Sequence, residues 1–308
     1  MSKPLLLKLH RWTTLVFALP MLAIILTGFI LSFEPMIEVS GIAPGSLDPA
    51  RIIELVKRYD PEGKARGVAL DPARQRLTFQ GPHATAIDLV TGEQATSGSG
   101  LADLFRWARF THERLLGQSW LVVSSTIAMV VIMSLGILMG LPRLRNSVSG
   151  WHKGTAWFTL PLILLSPLTG LCLALGLTFQ SAPVPGGAGR PLALSDAIGV
   201  VAKSHDLAQV TSIGTRGGRV MARLFEGGEL RAFAVNPDGL VELPRNWPRL
   251  IHEGNWSAMI AGPLNVITSI ALLALLSTGL WLWARRKLRR PLARGERDAE
   301  RTALKQAA

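Results

Sequence analysis

The sequence predicts a membrane protein: a four-helix transmembrane bundle in two tandem halves, carrying two small α+β modules on one side of the bilayer. Three observations lead there. Of the 308 residues, 48% are hydrophobic and the mean hydropathy is +0.31, too apolar for an ordinary soluble chain of this length. Four stretches are long and apolar enough to cross a hydrocarbon core about 30 Å thick, which needs roughly 20 helical residues. Two of them also repeat one another: Leu9 to Gly28 reads LHRWTTLVFALPMLAIILTG, and Trp151 to Gly170 reads WHKGTAWFTLPLILLSPLTG. Each opens on a histidine followed by a base, passes through proline and closes on Leu-Thr-Gly, with the same histidine-to-glycine distance.

The spans run from Trp12 to Phe33, Leu115 to Pro142, Thr155 to Phe179 and Asn255 to Ala284, and none contains Asp, Glu, Lys or Arg. Pro20, Pro161, Pro167 and Pro263 lie inside them and are expected as kinks that neighbouring helices support. The first span begins like a signal peptide behind Lys3 and Lys8. It is too long, and no small-x-small cleavage site follows, so it reads as a retained anchor. With both termini inside, the inner segments (1–11, 143–153 and 285–308) hold 15 basic and 3 acidic residues, whereas the outer segments hold 18 of each. The whole charge of +12 therefore lies on one side, which positive-inside bias makes the cytoplasm. The tail RRKLRRPLARGER is accordingly a stop-transfer flank able to touch anionic lipid, not a nucleic-acid arm.

Between the spans lie two external modules, 34–109 and 181–251, so the chain divides as span 1–33, module, span 110–142, loop 143–153, span 154–180, module, span 252–284 and tail 285–308. Each module opens on a Pro/Gly-rich linker, GIAPGSLDP or SAPVPGGAGRP. A helical pattern follows: LDPARIIELVKRY with Asp48 as N-cap before Pro49, and LALSDAIGVVAKSH with Ser195 as the cap. Then come strand-like runs, RGVAL, RLTFQ and TAIDL in one, VTSIG, RVMARLF and LRAFAV in the other, with hairpin turns at DLVTGE and VNPDGLV. Span, module, span is thus written twice.

Four of the six histidines stand at the mouth of a span. His10 and His152 enter from the cytoplasmic face, His112 and His252 from the periplasmic face, and each pair comes from two different spans. An ionisable residue at a membrane span is a functional candidate, and imidazole is the usual protein ligand of haem iron. Two imidazole pairs would hold two haems, one near each face. Without Cys-x-x-Cys-His, and with Cys172 as the single cysteine, attachment would be non-covalent, b-type; a disulfide within the chain and a cysteine-held iron–sulfur cluster are excluded. Taken singly, each histidine reads as well as an interfacial side chain; four spans with matched positions favour ligation. A two-His, two-Glu metal site from His112, Glu113, His252 and Glu253 stands beside this reading, although adjacent helical residues point about 100° apart. His83 and His205 fall in unmatched places within the modules and read as surface residues.

These motifs resemble a family. His-Arg-Trp…Leu-Thr-Gly, His-Glu-x-x-Leu…Ser-x-Gly, His-Lys…Leu-Thr-Gly and His-Glu-Gly…Thr-Gly-Leu-Trp-Leu-Trp-Ala-Arg-Arg are similar to the PepSY-associated transmembrane family of bacterial inner-membrane proteins, over nearly the whole chain. The resemblance implies PepSY-like external modules. Some members look like haem-containing siderophore reductases, so it also implies electron transfer from the cytoplasmic side to a periplasmic acceptor such as a ferric siderophore.

Small residues fit a bundle that must accommodate a flat macrocycle. Gly28 and Gly170, each preceded by threonine, lie at the periplasmic ends of their spans, and Gly136 and Gly279 at the cytoplasmic ends of theirs. Each belongs to a helix that supplies no histidine at that level; ordinary helix packing explains them equally well. Haem propionates would find Arg11, Arg143, Arg145 and Lys153 at the inner face, and Arg106, Arg109, Arg114, Arg249 and Trp247 at the outer, where interfacial snorkelling is the plainer role for each. No nucleotide or flavin fingerprint occurs, so electrons would come from a separate flavoprotein or from quinol. The competing readings are a haem-free, membrane-anchored PepSY regulator or assembly factor, and a small transporter, for which four spans without a buried charge offer no path.

Overall fold

The computed structural model describes residues 2–306, apart from 82–83, 96–99, 142–144 and 181–191, with side chains described as far as residue 288. In chain order the elements are α1 (Lys3–Leu31), α2 (Glu34–Ser40), α3 (Pro49–Tyr59), β1 (Gly67–Asp71), β2 (Arg76–Gln80), β3 (Ala86–Asp88), α4 (Gly100–Glu113), α5 (Ser119–Leu138), α6 (Val148–Phe158), α7 (Leu160–Ala174), α8 (Leu194–Ala202), β4 (Val210–Arg216), β5 (Arg219–Glu226), β6 (Glu229–Asn236), β7 (Gly239–Glu242), α9 (Trp247–Glu253) and α10 (Ala258–Gln306). They fall into two compact units, one of apolar helices (Met1–Phe29, Phe110–Leu171, Val266–Ala308) and one built on a sheet (Ile30–Arg109, Cys172–Asn265).

In the helical unit α1, α5 and α10 are each long and apolar enough to cross a membrane. They pack through Met21 and Ile25 of α1, Met129 of α5 and Leu276 of α10, all buried. The expected third span is a bent pair instead: α6 and α7 meet at 65° across Thr159. Proline explains the difference. Pro161 has no N–H to donate and its ring crowds the carbonyl four residues back, so the helix stops at Phe158 and restarts with Pro161 in the first turn of α7, where a missing donor costs nothing. Pro20 and Pro167 remain inside continuous helices, as the sequence led us to expect. Buried hydroxyls cause no polar deficit, because Thr27, Ser125, Thr126 and Thr169 donate to carbonyls three or four residues back in their own helices.

The sheet unit differs more from expectation. The two α+β modules join into one antiparallel seven-stranded sheet, in the order β3-β2-β1-β4-β5-β6-β7. Alternation buries one face: Val68 and Leu70 on β1, Leu77 and Phe79 on β2, Val220, Ala222 and Leu224 on β5, Phe233 and Val235 on β6. Ile52, Leu55 and Val56 of α3, and Ala197, Ile198 and Val201 of α8, complete that core. The Asp48 side chain caps α3 by accepting from the Ala50 N–H. Ser195 does not cap α8; the cap position is Ala193, two residues earlier, and Leu194 in the first turn packs against the core edge. The linker at 181–191 lies outside the described residues.

The seam between the modules is the β1–β4 ladder, where Gly67 pairs with Gly214. A Cβ on Gly67 would stand 2.6 Å from the Gly214 Cα and from the Ile213 carbonyl oxygen, so the two backbones approach as closely as they do only because both side chains are missing. Gly67→Ala is therefore expected to destabilise the sheet unit by about 1–3 kcal/mol, the usual range for overpacking. Hydrogen exchange should show amide protection lost first along β1 and β4; unchanged protection there would refute the role given to this glycine.

Candidate functional site

An imidazole N–H inside an apolar bundle needs an acceptor, yet helix carbonyls already accept from the N–H four residues on. A second donor can reach such a carbonyl only from the side. The Cα–Cβ bonds of a helix tilt toward its N-terminus, so the side chain at i+4 tends to cover the carbonyl of residue i. Glycine at i+4 leaves it open. Three of the four predicted histidines meet this arrangement in the helical unit.

His10 on α1 donates its Nδ1–H to the carbonyl of Ile132 on α5, at 3.0 Å, four residues before Gly136. His112, in the last turn of α4, donates Nδ1–H to the carbonyl of Ile24 on α1, at 3.0 Å, four residues before Gly28. The Thr27 hydroxyl oxygen lies 3.1 Å from the same nitrogen, its own proton directed to Ala23 at 2.8 Å. His152, near the start of α6, has Nδ1 at 2.8 Å from the Thr278 hydroxyl on α10 and also engages the Leu275 carbonyl, four residues before Gly279. Thr278 donates its proton to the Ala274 carbonyl at 2.6 Å, so its oxygen accepts from the imidazole.

Two of the glycines, Gly28 and Gly279, have a histidine ring where a side chain would stand. A Cβ on Gly28 would stand 3.1 Å from Cε1 of His112, and one on Gly279 3.5 Å from Cε1 of His152. Gly136 leaves open space where its Cβ would be. Gly170 lies half-buried inside α7, preceded by the buried Thr169.

Because a carbonyl can only accept, each of these rings carries its proton on Nδ1, and the neutral tautomer puts the lone pair on Nε2. That is the state an imidazole needs to ligate a metal through Nε2, with the other nitrogen oriented by an outer partner. His10 and His152, from α1 and α6, are also close enough to interact electrostatically. The half-buried His252 sits in the sheet unit, on α9, which is capped by Asn246 and closed by Gly254 in the left-handed region; its carbonyl accepts from the Asn265 amide at 3.3 Å.

The proposed propionate partners divide. Arg11 is half-buried beside His10, while Lys153 and Arg114 are exposed next to His152 and one residue past Glu113. Arg143 lies outside the described residues, as does His83. Arg109 is paired with Glu34, Arg106 with Asp103 at 2.7 Å, and Arg249 with Glu253 at 2.6 Å. Glu253 is thereby occupied, also accepting from Asn255 at 2.7 Å, and among the described residues no three His, Cys, Asp or Glu side chains converge to hold a metal ion. The two-His, two-Glu alternative thus has no assembled site. His205 is not the open surface residue expected: it is tucked against the Phe233 ring at 5.6 Å, with Nδ1 bonded to the Ser204 hydroxyl.

The carbonyl-plus-glycine rule was readable only in part beforehand, since the glycines stood out in the sequence but Ile24, Ile132 and Leu275 act through backbone atoms that carry no residue signature. In 15N-histidine spectra of the purified protein near neutral pH, His10 and His112 are expected to show a protonated Nδ1 and an unprotonated Nε2; the opposite tautomer would contradict these hydrogen bonds.

The family described as PepSY-associated TM region matches residues 7–286. None of the curated proteins matches the chain.

Proposed function

Since the chain belongs to the family of PepSY-associated TM regions, we propose that it is an inner-membrane, two-haem b-type electron-transfer protein. It carries electrons from the cytoplasmic side to a periplasmic acceptor, and a ferric siderophore is the acceptor whose reduction would release iron. One observation carries the reading: histidines from different helices are pre-set as Nδ1–H tautomers by carbonyls and a threonine on facing helices, which leaves Nε2 in the ligand form. An imidazole that would ligate iron through Nε2 needs its proton on Nδ1, and these bonds hold it there.

The donor set fits a porphyrin iron, which takes one imidazole from each side. His10 and His152 would hold one haem, and the sequence repeat extends the same role to His112 and His252 for a second. Bound haem supplies reversible one-electron exchange. The chain contributes the rest: imidazoles fixed before binding, hydrocarbon walls that exclude water and Arg11 and Lys153 in line for propionates at the basic end. The positive-inside distribution supports a topology with both termini in the cytoplasm, in which the sheet unit would be periplasmic and meet the acceptor.

Purified protein is expected to be red, with a b-type spectrum and about two haems per chain. His10→Ala and His152→Ala should remove the same haem, and His112→Ala or His252→Ala the other. Colourless protein that stays colourless with added haem would leave the anchored regulator as the reading, and loss of both haems from any single change would contradict the pairing. If reductase function is right, dithionite-reduced protein should be reoxidised by ferric hydroxamate or catecholate chelates in step with ferrous iron captured by a ferrous-specific dye.

A further inference from the structure

The helix α4, whose residues to Arg109 belong to the sheet unit and from Phe110 to the helical unit, has a surface that neither core packing nor a water-facing role explains. Its inner edge is conventional, with Phe105 and Ala108 buried. The outer side is divided lengthwise. Leu104, Trp107 and Phe110, spaced three apart, are 40%, 56% and 55% exposed, forming an apolar ridge. Beside it runs a polar strip, where Arg106 bonds Asp103 at 2.7 Å and Glu113 is exposed. A helix with core, apolar-exposed and charged-exposed faces has three neighbours to satisfy, and water satisfies only one.

We propose that α4 lies flat in the membrane interface, with the Leu104–Trp107–Phe110 ridge in the headgroup–acyl boundary and the Asp103–Arg106 strip in water. The occupant is lipid, because the exposed apolar surface continues along the chain into a span: Leu116 is 85% and Trp120 63% exposed, and α5 starts at Ser119. Tryptophan at the centre of the ridge suits that depth, where an amphipathic ring finds apolar and polar surroundings together. The consequence is positional. His112 follows Phe110 by two residues on the same helix, so an interfacial α4 fixes the depth of that imidazole, and it does so whether or not a haem is present.

Site-directed spin labels test this on the full chain in phosphatidylethanolamine–phosphatidylglycerol vesicles, in a Cys172→Ala background. Leu104→Cys and Trp107→Cys labels should collide with dissolved oxygen in preference to a water-soluble nickel chelate, Arg106→Cys should do the reverse, and Lys57→Cys on α3 serves as a solvent reference. Two ridge positions guard against one variant failing to fold. Nickel accessibility at 104 and 107 equal to that at 57 would overturn the proposal, as would labels shielded from both reagents, which would mean that protein covers the ridge.

Discussion

A polar hydrogen in a hydrocarbon setting must be given an acceptor, and this requirement organises the helical unit. An unsatisfied N–H there costs several kcal/mol, so each histidine enters with a carbonyl on a different helix already opened for it. α1 is fixed this way at both ends: it donates through His10 to α5 and accepts at Ile24 from His112. The threonines that precede Gly28 and Gly279 add a second oxygen at the same place. Apolar packing among Met21, Ile25, Met129 and Leu276 holds the helices together, but Met and Leu tolerate sliding. The imidazole bonds set the register.

Fixed register and the proposed ligand role would then rest on the same hydrogen bonds. The hydrogen bond that aligns two helices also selects the tautomer, and the tautomer decides which nitrogen can take a metal. A chain that used the histidines only to pin helices together would be free to donate from either nitrogen. Nδ1 is used by His10, His112 and His152 alike, from three different helices.

Much of this was legible in the sequence, and the misses have physical causes. Alternation in RGVAL, RLTFQ and RVMARLF gave β1, β2 and β5, and Asp48 before Pro49 gave the start of α3, because those signals are local. The union of two modules in one sheet was hidden, since strand pairing between β1 and β4 is a long-range choice marked only by Gly67 and Gly214, which by themselves read as weak strand residues. Pro161 looks like Pro20 in the sequence, yet Pro20 stays inside a continuous helix while Pro161 stands in the first turn after a break. The four histidines and the four glycines were picked out by their repetition. What joins three of each, a backbone oxygen four residues before Gly28, Gly136 and Gly279, has no side chain to announce it.

The shared sheet also bears on how the chain is made. β1 must hold its hydrogen-bonding edge ready while α4 to α8 are synthesised and three further apolar helices find the bilayer, because its partner β4 begins only at Val210. An unpaired strand edge invites foreign strands, and pairing across so much intervening chain is slow. The first half is therefore born incomplete, dependent on the second to shut its open flank. A polypeptide truncated before Val210 would leave the ribosome as a half-built sheet tethered to the membrane, recognisable to quality control by the one strand that still lacks its neighbour.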